Sequence, residues 1–160
     1  MRKLLCIMLI FTALTVSGGC GKSADTFTLT PFTCEIQMIS DGKITEGFFT
    51  YENENSMYVD FAADACLGGV RAEYENGVCR YSCNGVVIST PEELKNIPVY
   101  GLFSAVKLLA LSDTEMTQEG ENLFSLSDNN GKYTYTVDTD SGRLIRINGV
   151  QGKIIFRYQQ

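Results

Sequence analysis

One cysteine near the start of the chain stands where a covalent modification could be made. Cys20 ends a step of small residues, Ser17-Gly18-Gly19, which follows an apolar run from Leu4 to Val16 and a positively charged start, Met1-Arg2-Lys3. A charged start, a short apolar run and a small-residue step are together typical of an export signal. The apolar run is too short for a permanent transmembrane helix, which needs about 20 residues. The pattern therefore predicts a cleaved signal peptide over residues 1–19.

The cleavage step resembles the lipobox of bacterial lipoproteins, in which a cysteine directly follows the cleaved bond. The resemblance implies a thioether-linked diacylglycerol on Cys20. The mature protein is then exported and held by lipid, such as palmitate, at the outer face of the cell membrane or in the envelope. Residues 20–26 are polar and form a short tether, and residues 27–160 form a single domain. The alternative is ordinary secretion, with Cys20 left as a thiol.

Four further cysteines lie in the predicted domain: Cys34, Cys66, Cys79 and Cys83. Export permits disulfides, and four cysteines allow three pairings. The alternative is that they are buried as small apolar side chains. Cys79 and Cys83 lie in one strand, about 13 Å apart at 3.3 Å per residue, too far to bond each other. Cys83 lies at the same end of the predicted sheet as the connection over residues 62–69, which holds Cys66. The preferred bridge is therefore Cys66–Cys83.

Several kinds of chemistry are disfavoured by what the sequence lacks. It has no histidine, which removes the commonest general base and the usual activator of a nucleophile. No cysteine spacing fits a zinc site, and the Asp- and Asn-rich turns lack the pattern of a calcium loop. The formal net charge is −6, and cleavage of the signal makes it two units more negative. We therefore expect no enzyme activity, metal, cofactor or nucleic-acid partner.

The elements that would position any site are mainly β-strands, because apolar residues recur with a period of two between turn dipeptides. The pattern predicts about eleven strands, with helices inserted after the sixth. They are expected near residues 32–38, 44–51, 57–61, 70–74, 78–83, 86–90, 115–118, 123–127, 132–138, 143–150 and 153–158. Tight turns join nearly all neighbours, which favours an antiparallel meander. A meander this wide is expected to curl.

Two Asn-Gly turns, Asn76-Gly77 and Asn84-Gly85, predict the register of three neighbouring strands. Asn-Gly is the strongest two-residue hairpin signal, because both central residues of a type I′ turn need a positive φ. The first turn places Val70 opposite Cys83, Ala72 opposite Tyr81, and Tyr74 opposite Cys79. The second places Val86, Ile88 and Thr90 opposite Cys83, Tyr81 and Cys79. All these side chains then share one face.

The predicted helical insert has two parts. Thr90-Pro91-Glu92-Glu93 is a capping box that begins a short helix ending near Asn96. Pro98 begins a second helix through about Leu111, with a broad apolar face formed by residues spaced three to four apart. This amphipathic helix is the only candidate to cover the concave face of a curled sheet.

This order of strands, turns and helix resembles the LolA/LolB-like superfamily of lipoprotein-carrier half-barrels. The resemblance is carried by Gly42 and Gly47, Tyr58-Val59-Asp60-Phe61, Tyr74-Glu75-Asn76-Gly77, the insert from Pro91 to Leu111, Asp138 to Ile147, and Phe156-Arg157-Tyr158. It implies a half-barrel around an apolar cavity that is plugged by helices and receives acyl chains or partner segments. The long N-terminal helix of the carrier is absent, because the first strand begins within about ten residues of Cys20. The soluble carrier is also not acylated, so an anchored protein resembles the membrane-bound receptor branch more.

The expected function is therefore a lipid-anchored extracytoplasmic binding module that holds an acyl chain, a lipidated partner or another apolar partner. The candidate cavity residues are Ile36, Met38, Val59, Phe61, Tyr74, Tyr81, Ile88, Leu102, Phe103, Val106, Tyr133 and Tyr135. The same residues could instead fill a solid core, because both a core and a cavity require apolar side chains at period two. The alternative function is then an envelope structural or interaction lipoprotein that has no ligand.

Overall fold

The computed structural model describes residues 28–62, 68–88, 98–111, 116–129, 131–149 and 151–159. Its strands are β1 (Phe32–Ser40), β2 (Lys43–Asn53), β3 (Ser56–Phe61), β4 (Val70–Glu75), β5 (Val78–Cys83), β6 (Val86–Val87), β7 (Thr117–Gly120), β8 (Leu123–Asp128), β9 (Gly131–Asp138), β10 (Arg143–Gly149) and β11 (Gly152–Arg157). A single helix, α1 (Pro98–Ala110), lies between β6 and β7 in the described chain. The predictions of a mainly β fold, about eleven antiparallel strands and a helical insert after the sixth are confirmed.

All eleven described strands form one antiparallel sheet in the order β6-β5-β4-β3-β2-β1-β11-β10-β9-β8-β7. The first and last strands pair at its centre, where Ile36 lies opposite Phe156 and Met38 opposite Ile154. The sheet therefore consists of two meanders joined by this central pair, and the prediction of a single meander is wrong in this respect. Tight turns identify neighbours along the chain, but they carry no signal for a pair that is more than a hundred residues apart.

The hairpin turns have the backbone geometry that their sequences demand. Asn76 and Gly77 have φ values of 49° and 88°, and Asn84 and Gly85 have 51° and 81°. These angles fit the mirror-image turns that match the twist of antiparallel strands. The predicted partners in β4 and β5 are confirmed, as is the pair Cys83–Val86. The backbone N–H of Ile88 also donates to the Tyr81 carbonyl at 2.9 Å, as the predicted register requires.

A β-bulge in β10 changes which of its residues face the core. The pairing with β9 shifts between Leu144 and Arg146, so that Leu144 and Ile147, three residues apart, are both fully buried. Regular alternation would have placed Leu144 and Arg146 on the same face. The extra residue therefore brings two aliphatic side chains into the core and turns the arginine away from it.

Helix α1 packs against the apolar face of the sheet. Its buried residues are Val99, Leu102, Phe103, Ala105, Val106 and Leu109. The Phe103 ring lies 5.9 Å from the Tyr74 ring on β4 and 6.5 Å from the Phe49 ring on β2, measured between centroids. On the other side, the Tyr135 hydroxyl of β9 donates to the Ala105 carbonyl at 2.9 Å. The helix thus contacts strands from both meanders.

Candidate ligand-binding site

The structure brings eleven of the twelve candidate cavity residues together in the core between α1 and the sheet. These are Ile36, Met38, Val59, Phe61, Tyr74, Tyr81, Leu102, Phe103, Val106, Tyr133 and Tyr135, and each is at most 8% exposed. The strand members alternate along β1, β3, β4, β5 and β9, so that the pleat points them to one face. Period-two reasoning therefore selected the correct face of the sheet.

Ile88 is the exception, because its side chain is 54% exposed. It follows β6, a two-residue strand at the edge of the sheet, and Val86 and Val87 beside it are also exposed. Its register was predicted correctly, but its inclusion among the buried candidates was wrong. An edge position has a neighbouring strand on one side only, so alternation there does not ensure burial.

The face beneath α1 is packed rather than open in the described part of the chain. A small cavity of about 20 Å³ lies at the beginning of the helix, between Pro98, Gly101 and the β10–β11 hairpin. It has room for about one water molecule. Close packing continues beside it, since a Cβ atom on Gly101 would lie 2.8 Å from the Gln151 side-chain oxygen. In this conformation the covered face is filled by its own side chains.

The side-chain hydrogen bonds made by Tyr135 and Lys107 connect the described helix to the sheet, and they differ in character. The bond from Tyr135 to the Ala105 carbonyl is buried. The Lys107 amine, by contrast, is half-buried; it donates to the Tyr74 hydroxyl at 2.8 Å and lies 5.4 Å from the centre of the Tyr74 ring. Lysine near the carboxyl end of a helix also interacts favourably with the helix dipole. The buried residues of α1 contact the sheet through apolar side chains.

A third tyrosine, Tyr81, has a buried hydroxyl without a hydrogen-bond partner among the described residues. Burial raises the pKa of Tyr81 above its usual value, and the nearby Cys79 adds to the shift. A neutral phenol is therefore maintained in an apolar region. An unpaired buried hydroxyl costs about 1–3 kcal/mol of stability.

A larger space lies at the end of the sheet where β1 begins and β11 ends. This end cleft has a volume of about 560 Å³. Its inner wall includes Phe32, Cys34, Leu144 and Tyr158, and Cys34 and Leu144 also belong to the buried core. The volume lies within the range of about 300–1,000 Å³ that is usual for small-molecule sites. The cleft thus connects the solvent to the edge of the apolar interior.

The charges of the end cleft come from two described residues, Arg143 and Glu35. Arg143 begins β10, and its guanidinium carbon lies 5.0 Å from the centre of the Tyr158 ring. Burial raises the pKa of Tyr158, so the ring stays neutral beneath the cation. Sequence reasoning missed this site, because its residues come from chain segments that only the β1–β11 pair and the β9–β10 turn bring together.

The thiols of Cys34 and Cys79 lie in environments that make them unreactive. Burial raises the pKa of Cys34 to about 12 and that of Cys79 to about 11, so neither forms a thiolate near neutral pH. No disulfide joins any two of the described cysteines, Cys34, Cys79 and Cys83. The predicted lipidation site Cys20, the predicted disulfide partner Cys66 and the capping box at residues 90–93 lie outside the described residues. Lipidation and the Cys66–Cys83 bridge stay predictions, as do the signal peptide and the tether.

The described residues contain no group of three or more cysteine, aspartate or glutamate side chains placed to hold a metal ion. No described helix has the length and apolar character required to cross a bilayer. Comparison with known proteins found no protein family and no curated protein that match the sequence.

Proposed function

We propose that this chain is an exported, lipid-anchored binding module of the LolA/LolB-like half-barrel type. Its diacylglycerol on Cys20 would hold it at the outer face of the membrane. Its ligand would be an acyl chain, or a lipidated or other apolar partner, accommodated between α1 and the sheet. The proposal has no catalytic step and uses no metal or cofactor.

The observation that carries the proposal is that one short stretch of α1 contacts strands that lie far apart in the sheet. Phe103 contacts Tyr74 of β4, and Ala105, two residues on, contacts Tyr135 of β9. These strands are six places apart, which is roughly 29 Å in a flat sheet at about 4.8 Å per strand. Residues 103–107 of a helix span only about 6 Å. The contacts therefore support a sheet that curls around the helix as a half-barrel.

The contacts of α1 also support its acting as a cover that a ligand can displace. Leu102, Phe103 and Val106 are fully buried through apolar contacts, which are non-directional. An acyl chain could replace these contacts without leaving polar groups unpaired. The polar bonds from Lys107 and Tyr135 would be remade or exposed to water when the helix moves.

A second function is favoured by the filled interior. In the described structure, the cavity at the beginning of α1 has room for about one water molecule, and the side chains beside it are closely packed, as in a solid core. The chain would then be an anchored structural or interaction protein of the envelope, whose partners bind its outer surface. In that case α1 is a permanent part of the core.

Native mass spectrometry of the purified mature protein tests the ligand proposal. A binding module should retain a lipid-sized adduct after mild purification or bind an added fatty acid with a stoichiometry of one. The variant Phe103→Ala should change the affinity for the fatty acid, whereas Leu111→Ala, an exposed neighbour at the end of α1, should not. The absence of any adduct or binding would contradict this function and favour the filled-core alternative.

The anchor is tested separately through Cys20. The substitution Cys20→Ala should either release the domain from the membrane fraction or stop the processing of the signal peptide. Mass spectrometry of the wild-type chain should show the added diacylglycerol. An unchanged mass and unchanged membrane fractionation in the variant would show that the cysteine carries no anchor.

A further inference from the structure

The end cleft contains a cation whose nearest cross-strand carboxylate is used elsewhere. Arg143 lies opposite Asp138 in the β9–β10 pair. The Asp138 carboxylate instead accepts hydrogen bonds from the Ser141 hydroxyl at 2.7 Å and the Asp140 backbone N–H at 3.0 Å. These bonds are the main causes of the lowered pKa of Asp138, and Arg143 makes a smaller contribution. The turn therefore uses the carboxylate for its own hydrogen bonds, and no ion pair joins it to Arg143 among the described residues.

Arg143 is left with its hydrogen-bond donors available to a ligand. None of the ion pairs found in the described part of the chain includes Arg143. Its guanidinium lies over the Tyr158 ring, a position that leaves the N–H donors at its edge free. A guanidinium binds carboxylate and phosphate groups through two parallel hydrogen bonds. The cleft therefore offers an anion-binding group beside an aromatic wall.

The walls of the cleft lead from this cation to the apolar interior. Phe32 lies 5.8 Å from Tyr158 and 5.6 Å from Phe49, measured between ring centroids. Phe49 in turn contacts Phe103 of α1. A continuous path of aromatic rings thus connects the mouth of the cleft with the covered face. A ligand that follows this path needs a charged head and an apolar chain.

The predicted tether indicates where such a ligand would come from. The described chain begins at Thr28, and Leu29 and Pro31 line the cleft. The eight residue-to-residue steps from Cys20 to Thr28 can span at most about 29 Å. A lipid on Cys20 would therefore keep the cleft close to the membrane surface. The amphiphiles within reach are those of the leaflet to which the protein is anchored.

We propose that the end cleft is the mouth of the ligand site and selects an amphiphile with an anionic head group from the membrane. Arg143 binds the head group, and the apolar chain passes Phe32 toward the face covered by α1. This inference rests on the proposed function for the destination of the chain. It adds the entrance, the charge of the ligand and the residue that recognises it. Glu35, the one carboxylate among the described lining residues, opposes the anion.

Calorimetric titration of the mature chain, residues 20–160 with Cys20→Ser, tests the inference, because this chain contains every described element. The probes are dodecyl phosphate, dodecyl maltoside and inorganic phosphate, with both amphiphiles below their micelle concentrations. Charge-assisted hydrogen bonds contribute about 1.5–3 kcal/mol, so dodecyl phosphate should bind roughly 10-fold or more tightly than dodecyl maltoside. Arg143→Gln should remove this preference. Arg80→Gln, a distant exposed arginine on β5, should preserve it.

Further titrations distinguish a site for amphiphiles from a site for free anions. Glu35→Gln should tighten the binding of dodecyl phosphate, since it removes a repulsive charge from the cleft. Inorganic phosphate should bind far more weakly than dodecyl phosphate. If the two bind equally, the site takes free anions and the amphiphile inference is wrong. If the wild type and Arg143→Gln bind dodecyl phosphate equally, the inference is also wrong.

Hydrogen exchange of α1 distinguishes this inference from the proposed function. Dodecyl phosphate that reaches the covered face should change the exchange of the α1 amides. Binding that depends on Arg143 without such a change would support the cleft but contradict a ligand beneath α1. Binding that changes the exchange of the α1 amides but is the same in Arg143→Gln would support the proposed function and contradict the role of the end cleft. No binding of either amphiphile would contradict both.

Discussion

The region beneath α1 and the end cleft belong to one apolar face, but they differ in how that face is closed. Beneath α1, described side chains from the helix and both meanders fill the space, and a cavity of about 20 Å³ lies at the beginning of the helix. At the end of the sheet, no described helix covers Phe32 and Tyr158, and a cleft of about 560 Å³ remains. The packed region beneath α1 should therefore contribute most to stability, whereas the end cleft is accessible to solvent. Substitutions should therefore have large effects on unfolding in one and small effects in the other.

The largest expected effect is at Phe103, at the centre of the covered region. Phe103→Ala should lower the free energy of unfolding by about 3–5 kcal/mol, because it leaves a cavity among Phe49, Tyr74 and the helix. Phe103→Asp should cost more, since it also buries a charge. Urea unfolding measures both, with Leu111→Ala as an exposed control. A small loss for Phe103→Ala would show that α1 is a loosely attached cover rather than part of the core.

Alkaline pH should weaken the fold through its buried thiols. The pKa of Cys34 is raised from 9.0 to about 12 and that of Cys79 to about 11, because burial disfavours the thiolate. Above pH 9 the unfolded chain releases these protons while the folded chain retains them. Stability is therefore complete below pH 9 and falls as pH rises toward 11–12, by up to about 1.4 kcal/mol per pH unit for each group.

Urea unfolding between pH 8 and pH 11 measures this dependence. Buried tyrosines with raised pKa values, such as Tyr81 and Tyr135, should add to it at the upper end. Cys34→Ala should reduce the slope between pH 9 and pH 11 relative to the wild type. An identical slope in the variant would place the Cys34 thiol in contact with water.

Two tyrosine hydroxyls in the covered region should respond oppositely to removal. Tyr135→Phe loses the hydrogen bond to the Ala105 carbonyl and should cost about 0.5–1.5 kcal/mol, plus the penalty of leaving that carbonyl unpaired. Tyr81→Phe removes a hydroxyl that has no partner among the described residues, so stability should stay unchanged or rise. Thermal or urea melts of the two variants form a matched pair. A loss for Tyr81→Phe equal to that for Tyr135→Phe would reveal a partner for Tyr81.

The smallest expected effect on stability is at the end cleft. Arg143→Gln should change the free energy of unfolding by less than about 0.5 kcal/mol, because the residue is exposed and contacts one aromatic ring. The same variant is expected to change anion selectivity strongly. A large loss of stability in urea would show that Arg143 supports the fold, and would contradict the expected difference in stability between the two regions.

Much of the fold could be predicted because its signals are local. The helix was expected over residues 98–111 and is found at Pro98–Ala110, where apolar residues recur at helical spacing. Strand β5 has the predicted bounds, since the turns at Asn76-Gly77 and Asn84-Gly85 delimit it on both sides. Less was predictable in β10, because the bulge between Leu144 and Arg146 breaks the alternation on which the prediction depended.

The candidate site was predictable only where burial follows alternation. Tyr74, Tyr81 and Tyr135 share one face because of their spacing, and their inward direction could be inferred from it. The exposure of Ile88 could not be inferred in this way, since the burial of a residue at the sheet edge depends on what lies beside it. The end cleft was not predictable either, because the residues before β1, after β11 and at the start of β10 become neighbours only in three dimensions.

The sequence by itself determined the strands, the tight turns, the register of β4–β5–β6 and the apolar face of α1. Each of these depends on interactions between residues that are close along the chain, such as the positive φ values of an Asn-Gly turn. Only the tertiary structure decided that β1 pairs with β11, so that α1 contacts both meanders and a cleft remains beside Arg143. That choice depends on how completely distant apolar surfaces bury one another, and no short segment contains this information.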